Sequence, residues 1–300
     1  MIHYNITLFL PTNETAVRQY RFLVALLITL IVAGTGRAAA IEVAVSIAPV
    51  HALIAAVMDS VAVPSLIVKG GASPHDYALR PSDATTLSRA DVVFWIGPDL
   101  ELFLSKPLAS LADKANVVTL ARQAGNGKRD SHIWLDPMIA RDIVHIATTV
   151  LTRLDPANAG RYTANGDHMA RRLDALDSEL RDALAPVSAL PYVVFHEAYG
   201  HFEQRYGLNR VAAITVNPQQ RPGAKRIADI REVIKTTGAR CLFTEPQFTP
   251  ALAATIVEGT SVRRGTLDPL GVGLAPGAEA YFTIMRGLAV ALRACLLPPE

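Results

Sequence analysis

One long helical pattern in the middle of the chain constrains the fold more than any other feature. Between Asp155-Pro156 and Pro186, apolar residues recur three or four apart at Tyr162, Met169, Leu173, Leu176, Leu180 and Leu184. Arg171, Arg172, Asp174, Asp177, Glu179, Arg181 and Asp182 fill the gaps, leaving one apolar and one charged face. The pattern predicts one amphipathic helix of about 30 residues, roughly 45 Å long. That is too long to cross between two neighbouring strands, and long enough to run as a stiff spine past two lobes.

Short apolar runs of strand type flank this segment. Four precede it, at 43–47, 65–68, 91–96 and 116–120, and four follow it, at 192–195, 211–215, 240–244 and 261–266. Helical segments fall between them, among them 49–58, 137–154, 222–237 and 250–259. Such alternation implies parallel sheets with helices on both faces. The expected fold is therefore α/β with two lobes, each a four-stranded, mainly parallel sheet flanked by helices, joined by one long helix. The N-terminal lobe is expected over 41–154, the linking helix over 155–186 and the C-terminal lobe over 187–300. No close repeat relates the two halves in sequence.

Residues 1–40 read as a signal peptide. Arg18 and Arg21 precede an uncharged apolar run over 22–34, and Ala38-Ala39-Ala40 supplies small residues for cleavage after Ala40. The apolar run is shorter than the about 20 residues that span a bilayer. No other segment is long and apolar enough to span one, so a soluble protein outside the cytoplasm is expected. The chain has 29 basic and 27 acidic residues, and cleavage removes Arg18, Arg21, Arg37 and Glu14, leaving 26 of each. A nucleic-acid partner would call for a basic excess, and none remains. Cys241 and Cys295 are the two cysteines. In an oxidising compartment a disulfide is their simplest reading, with two buried thiols as the alternative.

The histidines carry the chemistry. His196 ends the apolar run Tyr192-Val193-Val194-Phe195, at the strand edge where ligands collect in open α/β sheets. His75 in Ser73-Pro74-His75-Asp76-Tyr77 and His132 in Ser131-His132-Ile133-Trp134 lie in loops after earlier strands, and Asp268 lies in Thr266-Leu267-Asp268-Pro269. These four positions are expected to converge on one divalent ion. Three imidazoles with a carboxylate or water suit four-coordinate zinc, whereas manganese favours more oxygen. Asp76, Asp136, Glu197, His201 and Glu245 are the candidates to orient the ligands from behind. His51, His145 and His168 sit on helical segments and are expected to be structural. His196 and His201 are five residues apart, so the run does not form the four-residue spacing of a zinc protease helix. Neutral imidazole ligands imply an affinity that falls below about pH 6.5.

Five motifs now stand together: Ser73-Pro74-His75-Asp76-Tyr77, His132-Ile133-Trp134-Leu135-Asp136-Pro137, Phe195-His196-Glu197-Ala198-Tyr199-Gly200, Glu245-Pro246-Gln247-Phe248 and Gly265-Thr266-Leu267-Asp268-Pro269. In this order they resemble the solute-binding proteins of high-affinity zinc ABC importers, the ZnuA-like family. The resemblance covers about Val43 to Cys295. It implies two α/β lobes joined by a long helix, zinc held between them by His75, His132 and His196 as the transported ligand, and a Cys241–Cys295 disulfide. It also implies a periplasmic monomer, not an enzyme, that delivers zinc to a membrane permease driven by an ATPase. The chain departs from many members in its short, histidine-free loop over 122–131. The alternatives are a manganese or other divalent-metal binder of the same class, a metal-dependent hydrolase with Glu197 as base, an adhesin, and a protein with a structural zinc.

Overall fold

The structure, a computed structural model, describes residues 40–123, 130–216, 222–248 and 251–298. The signal segment up to residue 39 and most of the loop before His132 lie outside the described residues. Strands β1 (Val43–Val45), β2 (Ser65–Leu66), β3 (Val92–Trp95) and β4 (Asn116–Thr119) form one parallel sheet in the order β2-β1-β3-β4. Strands β5 (Tyr192–His196), β6 (Arg210–Thr215), β7 (Cys241–Thr244) and β8 (Arg263–Thr266) form a second parallel sheet in the order β6-β5-β7-β8. The two sheets thus share one strand order, a repeat of topology without a repeat of sequence. Strands β1, β3 and β5 are buried along their whole length. Helices cover both faces of such strands, which explains why they read as unbroken apolar runs.

Helices fill the crossovers. They are α1 (Ala48–Val57), α2 (Pro81–Arg89), α3 (Ser105–Leu111), α4 (Leu120–Gln123) and α5 (Pro137–Leu154) on the first side. The spine is α6 (Ala159–Leu184), and α7 (Gly200–Tyr206), α8 (Ala224–Thr237), α9 (Ala251–Val257) and α10 (Glu279–Leu296) follow. The spine is shorter than its sequence pattern because a 3-10 turn over Pro156–Asn158 precedes it and another over Ala185–Val187 ends it. Each turn carries a proline, which has no amide hydrogen to offer a helix interior. The Asp155 carboxylate accepts from Asn158 Nδ2 and from the Tyr162 hydroxyl, both at 2.8 Å, and so fixes the entry.

The spine buries Tyr162, Met169, Leu173, Leu176, Leu180 and Leu184, the apolar residues of its pattern. It packs on α1 and α5 from the first lobe and on α10 from the second, and α10 also touches α1. Across its outer side Arg172 pairs with Glu279 at 2.7 Å and Arg286 with Glu179 at 2.7 Å. One apolar core therefore runs from the first sheet through these helices to one face of the second sheet. A smaller cluster, including Val193, Ile214, Ile230 and Leu242, covers that sheet's other face. Cys241 of β7 and Cys295 of α10 form a disulfide with 6.1 Å between Cα atoms. Among the described residues no helix is long and apolar enough to cross a membrane.

Candidate metal centre

In each sheet the strand order reverses between the first and third strands, and the C-terminal edge at such a point is a natural crevice. His196 is the last residue of β5, and Glu245 directly follows β7, its neighbour in the sheet. His75 lies in the loop from β2 to α2. That loop is pinned by Tyr77, whose hydroxyl reaches Ile67 O at 3.2 Å and the Asp83 carboxylate at 2.8 Å. Asp83 also accepts from the Arg80 amide at the start of α2. The Ser73 hydroxyl accepts the His75 amide at 3.2 Å. His132 leads into the 3-10 turn Ile133–Leu135, after which Asp136 caps α5 by accepting from the Met138 amide at 2.8 Å.

These elements bring the three imidazoles together. Ring centroids lie 4.9 Å apart for His75–His196 and His132–His196, and 5.6 Å apart for His75–His132. One ligand atom from each ring lies within 4.8 Å of the other two. A tetrahedral zinc with bonds of about 2.0–2.1 Å needs separations of roughly 3.3 Å, so small inward shifts complete the geometry. The cavity among them is small, about 10 Å³, and has no room for an organic substrate. His196 is 2 % exposed, and its Nε2 is buried with no hydrogen-bond partner among the described residues. Such a nitrogen costs stability unless something binds it.

The electrostatics favour uncharged rings. Burial, then the neighbouring His132 and His196, push the His75 pKa down to about 3. Burial also lowers His132, against the opposing pull of its hydrogen bond to Asp130. His132 Nδ1 lies 2.8 Å from Asp130 Oδ1, which leaves Nε2 to face the cavity. Burial alone would raise Asp130, but its bonds to the His132 ring and amide hold it below its ordinary value. His201 Nε2 contacts Asp130 O at 3.0 Å, so a residue of α7 supports the loop that carries His132. Gly200 gives Asp130 room there, since a Cβ at that position would meet its Oδ2. His196 Nδ1 lies 3.3 Å from Glu245 Oε1.

The other candidate residues lie as follows. Asp268 accepts three backbone amides, from Leu270 at 3.1 Å, Gly271 at 2.9 Å and Val272 at 2.6 Å, and shapes the turn beside the cavity. Among the described residues the metal-competent cluster consists of the three histidines without it. Glu245 lies beside His196, and His201 contacts Asp130, the partner of the His132 ring. Asp136 pairs with Arg205, Glu197 is exposed and pairs with Arg210 at 3.3 Å, and Asp76 is exposed. A carboxylate tied to Arg210 is poorly placed to act as a hydrolytic base. Asp130 and Trp134 are additions to the set read from sequence. The buried Trp134 ring lies 5.2 Å from that of His132, and its Nε1 donates to Pro269 O at 2.9 Å. Asp130 was legible in principle, since an acid two residues before a histidine can bond both its amide and its ring.

Two parallel sheets, a spine helix and three clustered imidazoles at the sheet edges, two buried and one partly buried, define a two-lobed metal-binding protein. The family described as zinc-uptake complex component A, periplasmic, matches residues 43–295, and the chain belongs to it. It is 38 % identical over 304 residues to the high-affinity zinc uptake system protein ZnuA of Brucella abortus, covering 85 % of this chain and 91 % of that one. The protein of the same description in Yersinia pestis is 35 % identical, over 89 % of this chain and 95 % of its own. The fold is that of a crystal structure of ZnuA, with a TM-score of 0.76, 24 % identity and coverage of 86 % and 100 %. It is also that of the periplasmic zinc binding protein TroA from Treponema pallidum, with a TM-score of 0.77, 19 % identity and coverage of 86 % and 99 %.

Proposed function

We propose that this chain is the zinc-binding component of an ABC importer, working in the periplasm after cleavage behind Ala40. It captures one zinc ion between its lobes through His75, His132 and His196 and hands it to a membrane permease with its ATPase. The observation that carries this reading is the cluster of three imidazoles, two buried and one partly buried, around a small cavity. Among the described residues the metal-competent cluster offers three nitrogen donors and no carboxylate, which favours zinc over manganese. Because Asp268 is committed to three backbone amides, the reading places water in the fourth position. The functional units are the signal at 1–40, lobes at 41–154 and 187–300 and the linking segment at 155–186, acting as a monomer.

Titration of metal-stripped protein with zinc and with manganese, for wild type and His196→Ala, tests the proposal. Tight one-to-one zinc binding, weaker manganese binding and a loss of at least about tenfold in the variant support it, since ligand and supporting residues are typically worth that much or more. Equal zinc binding by the variant contradicts it.

A further inference from the structure

The cavity that holds the three histidines is also lined by Gln247, two residues after Glu245 on the loop that leaves β7. Both polar atoms of its side chain, Oε1 and Nε2, are buried and have no hydrogen-bond partner among the described residues. A primary amide removed from water without a partner destabilises the fold. A buried amide of this kind is placed for a partner that arrives with the ligand. Three imidazoles leave a tetrahedral ion with one open position. Of the carboxylates by the site, Asp268 is committed to three backbone amides, and Glu245 lies with Oε1 3.3 Å from His196 Nδ1.

We infer that Gln247 holds the water that completes the zinc coordination, its Oε1 accepting a hydrogen bond from the metal-bound water. Gln247 is then a positioning residue for the cargo and not a ligand. Polarisation by zinc makes the bound water a stronger donor than bulk water, so a neutral acceptor suits it. A glutamate at the same place would add a negative charge and compete to become a ligand itself. The inference rests on the zinc-binding reading of the three histidines and adds to it the residue that fixes the fourth site.

The test compares wild type, Gln247→Leu, Gln247→Glu and His196→Ala, using zinc titration, the visible spectrum of the cobalt(II)-substituted protein and the melting temperature of the metal-free protein. Gln247→Leu is expected to bind zinc about tenfold more weakly, the scale of lost supporting contacts at zinc sites. Its metal-free melting temperature should equal or exceed that of wild type, because no hydrogen bond is lost in that state. Its cobalt(II) bands should move, and Gln247→Glu should move them further as an oxygen ligand replaces water. Wild-type affinity and cobalt(II) spectrum in Gln247→Leu, or a lower metal-free melting temperature with unchanged affinity, would overturn the inference. His196→Ala separates the two ideas: if its affinity falls while Gln247→Leu behaves as wild type, only the role of Gln247 fails. If neither variant changes zinc binding, the histidine site itself fails.

Discussion

Replacing Glu101 by Gln should stabilise the metal-free protein above neutral pH and change nothing in mild acid. Glu101 is 0 % exposed in the turn after β3, where its Oε2 accepts the amides of Ile96 at 2.8 Å and Gly97 at 3.2 Å. Burial outweighs those bonds and that of Ser46, raising its pKa from 4.5 to about 7. The folded state therefore holds this proton more tightly than the unfolded chain, so the contribution to stability falls as pH rises from 4.5 to 7. Above pH 7 the folded state carries an ionised, buried carboxylate at a cost of roughly 3 kcal/mol, because each tenfold gain in proton affinity on folding is worth about 1.4 kcal/mol. Below pH 4.5 the cost is gone. Glutamine keeps an oxygen for both amides and never ionises, so Glu101→Gln should gain up to about 3 kcal/mol at pH 8 and nothing near pH 4.5. Urea denaturation of wild type and variant at pH steps between these values measures the difference, in which all other titrating groups cancel. Parallel curves with a constant offset would rule out a raised Glu101 titration in the folded state.

Further predictions concern the site and the spine. Because burial holds His75 and His132 below their ordinary value, protons should compete with zinc at these two rings only well below pH 6.5; a zinc titration in which two or more protons compete from pH 6.5 downward would contradict it. The lowered values also make the unfolded chain take up protons first, so metal-free stability should lose up to about 1.4 kcal/mol per buried ring for each pH unit below 6.5, which denaturation of Glu101→Gln can read without the opposing carboxylate. In α6, a Cβ on Gly166 would collide with Thr148 Oγ1 of α5, so Gly166→Ala should destabilise by about 1–3 kcal/mol. In a Thr148→Ala background the same change should be neutral or stabilising by up to about 1 kcal/mol, from helix propensity. The core continuous between the lobes predicts nearly equal radii of gyration for metal-free and zinc-bound protein, and a marked compaction in X-ray scattering would count against it.

Much of this fold was readable because its decisive elements are local. Runs such as Tyr192-Val193-Val194-Phe195 are buried on both faces and so are apolar throughout, and the spine exposes one charged face that repeats with the helical period. The ends of the spine were less legible, since Pro156 and Pro186 fit inside a helical pattern but open 3-10 turns. The shared strand order of the two sheets is a matter of tertiary pairing that no segment records. At the site the three histidines were visible from their loops, because a residue leaving a parallel strand has few other places to go. What each carboxylate does was not visible: Asp268 turned inward to its own loop amides, and Asp130, two residues before His132, took the orienting role. The C-terminal helix α10, which fastens the spine to the second lobe, was not among the helices assigned from sequence.

X-ray absorption at the zinc edge of the one-to-one complex reports whether three imidazoles from distant segments share one ion. Wild type should show three imidazole nitrogens and one oxygen at about 2.0–2.1 Å, and His196→Ala two imidazoles. A wild-type shell of oxygens with fewer than three imidazoles, or a shell that His196→Ala leaves unchanged, would contradict it.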